Sequence, residues 1–292
     1  MDGSELLQLV IAGLKNGSIY ALLALGFTIV YAATNVINFA QGEFYMLGGM
    51  LGVLGFDRLG LPMVLAVPLA VLLVAAIGML FEFTAIRPRK DAEPMALIII
   101  TVGGSLVFAS LARHLFGSDA LSLPEFTAGP SLAVAGAAIE RQTLWIWGLM
   151  LAAVAGLSFL YSKTRLGRAM RACMQNREAA RLMGIDTARV VMISFGLAAA
   201  LGALAGVAVT PLTSTRFDIG TGLAVKGFAA AILGGLGSPL AAVAGGLLLG
   251  LIEQAVIPFS SVLKDVVALA LLLAVLFIRP QGLFQRARKD KV

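Results

Sequence analysis

The chain has 292 residues, of which 59% are hydrophobic and 13% charged, with a formal net charge of +6. A soluble domain carries about 25% charged residues, so this composition excludes a water-soluble surface. One cysteine and one histidine, Cys173 and His114, exclude an internal disulfide and most zinc chemistry.

The charges are clumped, leaving 16–42, 59–81, 94–112, 142–162, 190–215 and 227–252 without any. Each is close to the roughly 20 apolar residues that cross a bilayer as a helix. Asp2 and Glu5 precede the first segment and Lys15 is the sole early base, so it reads as a retained helix rather than a secretory signal. Residues 38–56 are either a short crossing, with the N-terminus outside, or a re-entrant element, with the N-terminus inside. Arg87-Pro88-Arg89-Lys90 is a basic loop before a helix near 94–113. The following loop, 114–141, holds Asp119, Glu125 and Glu140 against Arg141 and leads into a helix over 142–162. Segment 163–189 carries Lys163 and six arginines against Glu178 and Asp186, and precedes a helix over 190–212. Residues 213–225 then form a loop, and 226–278 divides into three short crossings at Gly234-Gly235, Gly237-Ser238-Pro239 and Pro258. The tail has Arg279, Arg286, Arg288, Lys289 and Lys291. Lysine and arginine in short loops mark the cytoplasmic side, which places 87–93, 163–189 and the C-terminus inside and 114–141 outside. The result is an all-α polytopic membrane protein of eight or nine spans in a single domain, 1–292. The bases sit in loops at one end, so the positive charge implies a lipid bilayer and no nucleic acid.

Glycine recurs at small-xxx-small spacing at Gly13/Gly17, Gly48/Gly52, Gly202/Gly206 and Gly246/Gly250. Such spacing lets helix backbones approach closely in lipid; broken helices lining a pathway are the other reading. A weak echo between 42–49 and 227–235 hints at an internal repeat.

No phosphate loop, HExxH, CxxC or GxSxG motif is present, so no catalytic apparatus is legible. Glu43 lies among apolar runs with Asn35, Asn38 and Gln41, and an ionisable group at membrane depth is by default a functional candidate. It would line a pathway, cap a broken helix or pair with a partner. Lys226 and Glu253 flank a glycine-rich stretch and are interfacial or paired. Glu82, one turn from Arg87, reads as an interface charge, His114 as an exposed helix end, and Trp145 and Trp147 as outer-side anchors.

The segment Gly167–Ile185 has good helix formers and a glycine stop at Gly184. It reads as one helix with Ala169, Met170, Cys173, Ala180 and Met183 on one face and arginines on the other. That makes it a solvated or lipid-bound basic patch, or a coupling helix seated in a cytoplasmic motor.

Glu178-Ala179-Ala180 followed by Gly184 matches the EAAxxxG signature of bacterial ABC importer permeases. Asn16-Gly17-Ser18-Ile19-Tyr20-Ala21-Leu22, Val36-Ile37-Asn38-Phe39-Ala40-Gln41-Gly42-Glu43, Leu233-Gly234-Gly235-Leu236-Gly237-Ser238 and Arg279-Pro280-Gln281-Gly282-Leu283-Phe284 resemble the branched-chain amino acid permease family, in its LivH type. The resemblance runs from about residue 9 to 284. It implies the branched-chain amino acid/ribose permease fold in a bacterial inner membrane, and a translocation subunit for leucine, isoleucine and valine. A urea, short-amide or sugar permease of the same fold is the alternative, and a stand-alone secondary transporter or channel a more distant one. The implied partners are a second, LivM-type permease, two LivG- and LivF-type ATPases that bind ATP and Mg, and a periplasmic binding protein; this chain would hold no cofactor. Arg168, Arg171, Glu178, Ala179, Ala180 and Gly184 would couple to the ATPases through the 163–189 loop. Asn35, Asn38, Gln41, Glu43, Lys226, Gly234 and Gly235 would line the pathway. Many relatives are expected to have histidine where Gln41 stands, which argues against proton-linked chemistry there.

Overall fold

The computed structural model describes residues 3–89, 92–258, 260, 263–279 and 282–284. Asp2, Lys90, Pro280, Gln281 and the tail bases Arg286, Arg288, Lys289 and Lys291 lie outside the described residues.

Helix α1 (Gly3–Thr34) is followed by α2 (Gln41–Val53), which a π-helical turn extends through Leu54–Arg58. Helix α3 (Met63–Phe81) likewise runs on through a π turn, Glu82–Ile86, and a 3-10 turn, Arg87–Arg89. Helix α4 (Pro94–Phe116) leads to a small hairpin of β1 (Leu132–Val134) and β2 (Ala137–Ile139), antiparallel with Leu132 opposite Ile139. Then come α5 (Arg141–Lys163), the short α6 (Arg165–Gln175) and α7 (Arg177–Leu182), and α8 (Thr187–Thr213). Helices α9 (Ile219–Gly234), α10 (Pro239–Val256) and α11 (Leu263–Ile278) complete the bundle. Six of these, α1, α3, α4, α5, α8 and α10, are long and apolar enough to cross a membrane.

The layout follows from which helices are apolar all round and which have small residues. Helices α3, α4 and α5 turn Val64, Leu72, Ile99, Leu106, Leu151 and Phe159 outward, as lipid-facing helices do. Helices α1 and α8 are mostly enclosed by the others.

Two contacts show from which end of the bundle α1 starts. The Gln8 side chain exchanges hydrogen bonds with the Ala138 backbone at 2.9 and 3.2 Å, and Lys15 pairs with Glu140 at 2.9 Å. Helix α1 therefore begins at the end that bears the 114–141 loop. Its other end, Thr34, shares a cavity with Arg87 and Arg177. Helix α2 then returns alongside α8, with Gln41 against Ala198, Gly48 against Ala203 and Gly52 against Val207. Residues 38–56 thus run back toward the end at which α1 begins, and two shorter apolar helices, Ile219–Gly234 and Val266–Ile278, join the six long ones among the described residues. The loop expected over 213–225 is shorter than the sequence indicated. Thr215 bridges to Leu121 near the rim, yet Gly220 already packs on Gly42 and Glu43, so α9 starts inside the bundle.

All four glycine pairs lie in two seams. Gly13 and Gly17 of α1 face Gly246, Leu247, Gly250 and Leu251 of α10. A Cβ on Gly17 would lie 2.8 Å from the Leu247 Cα, and one on Gly246 would lie 2.5 Å from the Ala21 backbone nitrogen. Gly48 and Gly52 of α2 face Ala203 and Val207, while Gly202 and Gly206 of α8 face Phe44 and Tyr45. Close packing is therefore the role of these motifs, with nothing left for a larger side chain.

Replacing Gly250 by Val should drive a side chain into the Gly17 backbone and cost at least the ~1–3 kcal/mol of overpacking, read as a lower melting temperature in detergent. Gly103→Ala, where a Cβ meets open space, should leave the stability unchanged or raise it by the ~0.4–1 kcal/mol typical of a compatible site, read as an equal or higher melting temperature.

Candidate functional site

The polar residues singled out between 35 and 43 form the corner between α1 and α2. Asn35 ends α1 in the left-handed region, φ 56°, with its amide donating to the Tyr31 carbonyl at 2.7 Å and its side chain exposed. Asparagine tolerates that conformation better than most residues. Asn38 is fully buried and its Oδ1 accepts from the Ala40 amide at 3.1 Å, which fixes the turn into α2. Gln41 donates from Nε2 to the Ala198 carbonyl at 2.8 Å. Its amide occupies the room left by Gly26 and Gly202, where a Cβ would collide with it.

Glu43 is 1% exposed and packs between α2, α4 and α9. The hydroxyls of Ser105 and Thr221 donate to its Oε1 at 3.0 and 3.3 Å, and Gly220 makes space for its other oxygen. The carboxyl group holds the inner start of α9 against α2 and α4.

A small cavity borders this corner, and a larger one lies further along α2 at Tyr45. The smaller, ≈ 100 Å³, lies toward the end with the basic loops and brings Asn38 and Thr101 together with Glu82, Arg87 and Arg177. Glu82 is 2% exposed, so the expectation of an interface charge is corrected. It lies one turn after Gly78 on the buried face of α3, which also includes Val74, and there it shares the cavity with both arginines.

The larger cavity, ≈ 610 Å³, is lined by α1, α2, α8, α9 and α11. Asn16, Thr213 and Ser214 mark its end nearest the 114–141 loop, Tyr45 its side, and Tyr20 and Lys226 its deeper part. The remaining wall is aliphatic, including Ile19, Val209, Ile219 and Leu223. Lys226 pairs with Glu253 at 2.9 Å, and the Tyr20 hydroxyl donates to the other oxygen of Glu253 at 2.6 Å. Of the two sequence readings for this pair, the structure shows a paired, mostly buried group. Tyr20 and Tyr45 were missed as cavity residues, although Tyr20 stands within one of the motifs quoted above.

Gly234 and Gly235 line neither cavity. They end α9, with Gly235 at φ 119°, and receive the chain's last described residues. The Leu283 and Phe284 amides donate to the Leu233 and Gly234 carbonyls at 2.9 and 3.3 Å.

The 163–189 loop departs from the single helix expected of it. Asn176 adopts an extended conformation and its Oδ1 accepts from the Ala179 amide at 2.9 Å, so it stops α6 and caps α7. Gly184, at φ 82°, closes α7 as expected: its amide bonds to the Arg181 carbonyl and that of Ile185 to the Ala180 carbonyl, a Schellman ending. Met170, Cys173 and Ala180 are buried together against Val190 of α8. Burial pushes the Cys173 thiol up from its ordinary value, against a smaller opposing pull from Arg177. The expectation that Met183 shares this face is wrong, and so is Ala180 as docking surface. Ala180 turns inward with Met170 and Cys173, as their shared face requires, while Met183, past the end of α7, is 83% exposed and Leu182 88%. Glu178, Ala179 and Arg168 are exposed, as a docking face requires. Arg171 donates to the Tyr161 carbonyl in the last turn of α5, which fastens α6 under that helix. Leu182 was missed in the sequence and Met183 was read onto the wrong face, since the short α7 between Asn176 and Gly184 decides which way they point.

A family model described as "Branched-chain amino acid transport system / permease component" matches residues 9–276. The chain is 34% identical to the high-affinity branched-chain amino acid transport permease BraD of Pseudomonas aeruginosa, over 98% of both chains. It is 33% identical to LivH of Escherichia coli, over 98% of this chain and 97% of that one. The ribose import permease RbsC of Escherichia coli is 29% identical over 90% of this chain and 83% of its own length. Among solved structures, an inward-facing transporter described as of metal-chelate ABC type aligns with a TM-score of 0.51 at 17% identity, covering 93% of this chain and 85% of that one.

Removing one partner of a buried ion pair leaves an uncompensated charge and costs about 3–5 kcal/mol, whereas replacing both with apolar groups is often close to neutral. Lys226→Met should therefore destabilise the solubilised protein strongly, and Lys226→Met with Glu253→Met should recover most of the loss, read as melting temperatures.

Proposed function

Because the chain belongs to the family of branched-chain amino acid transport system permease components, we propose that it is the translocation subunit of an ABC importer that carries leucine, isoleucine and valine into the cytoplasm. It would work in a bacterial inner membrane beside a LivM-type permease, above two LivG- and LivF-type ATPases that bind ATP and Mg, and below a periplasmic binding protein. In that arrangement 163–189 and the C-terminus face the cytoplasm, in keeping with their arginines and lysines. Hydrolysis belongs to the separate ATPases.

The observation that carries the reading is the form of the 163–189 loop. A short helix, closed by Asn176 at one end and Gly184 at the other, presents Leu182 and Met183 beside Glu178 and Arg181 on an exposed tip. Large apolar side chains left that exposed on a charged loop mark a protein contact. Met170, Cys173 and Ala180 anchor the tip on α8, so a partner that grips α7 grips the bundle. Glu178 and Ala179 lie on the docking face, Ala180 and Gly184 shape it from behind, and Arg168 and Arg171 flank it.

The pathway would run along the α9 side of the molecule through the larger cavity. Its mostly aliphatic wall suits a branched aliphatic side chain better than a ribose, which carries a hydroxyl on most carbons and would leave many hydrogen bonds unmade. The likeness to a ribose permease keeps a sugar as the second reading.

The test is ATP-driven leucine uptake by the full complex in proteoliposomes, wild type against Glu178→Arg. The variant should assemble with the second permease but lose the ATPases on co-purification, together with uptake. Normal uptake by Glu178→Arg would reduce the loop to a lipid-facing basic patch, and competition by ribose but not by isoleucine would replace the substrate.

A further inference from the structure

A further cavity, ≈ 360 Å³, opens between α5, α6 and the start of α10. Its floor is apolar, with Leu25, Val154 and Leu157, and Leu240 at its edge is 65% exposed. From Ser162 to Val154 it follows α5 for about two turns, ~12 Å at 1.5 Å per residue. It therefore runs from the end with the basic loops toward the middle of the bundle. Its mouth is basic: Arg171 lines it, Lys163, Arg165 and Arg168 are close by in the chain, and no acidic residue occurs between Glu140 and Glu178. The Arg171 guanidinium carries five N–H donors, of which the Tyr161 carbonyl takes one, and among the described residues it forms no ion pair. The other border of the mouth is the start of α10, where Ser238 accepts from the Ala241 amide at 3.5 Å and Pro239 takes the first position. A first helical turn leaves backbone amides unpaired and carries partial positive charge, a setting that holds phosphates.

We infer that this groove is a site for an anionic glycerophospholipid from the leaflet next to the basic loops. The phosphate lies between Arg171 and the first turn of α10, and one acyl chain lies along α5. Such a site is independent of the solute that the chain carries. Basic pockets between transmembrane helices are where anionic headgroups bind, and here the charge and the apolar floor meet in one groove. A soluble phosphate would leave Leu25, Val154 and Leu157 without an apolar partner. A choline headgroup would bring a second cation against Arg171. The lipid bridges α6 and α10 across the groove, on a different side of the loop from the exposed tip at Leu182 and Met183.

Ser162, exposed at the mouth of the groove, allows a direct test. In the full complex carrying Cys173→Ala and Ser162→Cys, a small maleimide alkylates the new thiol in detergent. Micromolar dioleoylphosphatidylglycerol should slow that reaction several-fold, whereas the same concentration of dioleoylphosphatidylcholine, or of inorganic phosphate, should not. Ser238→Asp keeps a residue that caps helices well and sets a carboxylate against the phosphate, so it should abolish the slowing. Arg171→Gln should weaken it, and Arg165→Gln, which removes the same charge from an exposed position outside the groove, should not. Should Arg171→Gln fail to assemble, Ser238→Asp still decides. Equal protection by the choline lipid would make the groove ordinary lipid-facing surface, and protection by phosphate would make it a free-anion site. Equal losses in Arg165→Gln and Arg171→Gln would reduce the effect to the general positive field of the loop. A thiol that reacts only once the complex is taken apart would show a protein seated there instead. Each of these results overturns the inference.

Discussion

The contact between the glycine faces of α1 and α10 is the constraint from which the rest of this bundle follows. In lipid, no hydrophobic force draws two apolar helices together, and close van der Waals approach of the backbones has to serve instead. Gly13, Gly17, Gly246 and Gly250 provide that approach, and the Gly48/Gly52 and Gly202/Gly206 pairs repeat it between α2 and α8. With α1 fixed on α10 and α2 on α8, the corner between α1 and α2 is drawn into the middle of the molecule. That is why Asn38, Gln41 and Glu43 are buried, and why each finds its hydrogen bond within a few residues of a glycine contact.

The buried polar groups in turn locate α9. Glu43 reaches Ser105 on α4 and Thr221 at the start of α9 through one oxygen, while Gly220 yields space to the other. Moving Glu43 to the surface of α2 would leave nothing polar to hold the first turn of α9 at that depth. The start of α9 beneath the rim leaves the space that Tyr20, Tyr45 and Lys226 line. A seam made for packing thus sets the dimensions of the cavity, although no glycine of that seam lines it.

Much of this was legible in the chain, because hydropathy and loop charge act over twenty residues at a time. Helices α3, α4, α5, α8 and α10 lie close to the charge-free stretches and the glycine and proline breaks, whereas α1 runs Gly3–Thr34 against a stretch at 16–42 and α9 begins at Ile219, before residue 226. The glycine spacings marked close packing but not its partners, since spacing describes one face of one helix. The end from which α1 starts was open because residues 38–56 read equally as a short crossing or a re-entrant element, and the pairing of Lys15 with Glu140 places that start beside the 114–141 loop. The errors lie at the scale of one residue. Asn176 divides the basic helix, and Met183, past the end of the short α7, turns out. A period read at 3.6 residues per turn passes over that interruption, whereas Glu82, four residues after the buried Gly78, lies on a face the same period buries. The pathway residues divide likewise: Lys226 faces a cavity, Asn38 borders a small one, and Gly234 and Gly235 seat the end of the chain.

The same architecture bears on how a force at the loop would reach the cavity. Helix α7 rests on the start of α8 through Ala180 and Val190, and α6 is tied to the end of α5 by Arg171. Helix α8 spans 27 residues, about 40 Å at 1.5 Å per residue. Along that length it meets in turn Gln41 through Ala198, the α2 glycines through Ala203 and Val207, and the cavity through Val209 and Thr213. Backbone-close packing against α2 leaves α8 little freedom to slide alone. A displacement applied at α7 would therefore carry α8 and α2 together, and with them Tyr45 and Thr213 on one wall of the cavity. Lys226 and Tyr20 stand on the other wall, on α9 and α1, held by Glu253 of α10. The cavity thus lies between two glycine-sealed pairs, α2 with α8 and α1 with α10. The division between those pairs is crossed by close contacts of its own, Gln41 in the room left by Gly26 and Gly42 on the Gly220 backbone, so a force that parted the pairs would have to break these first.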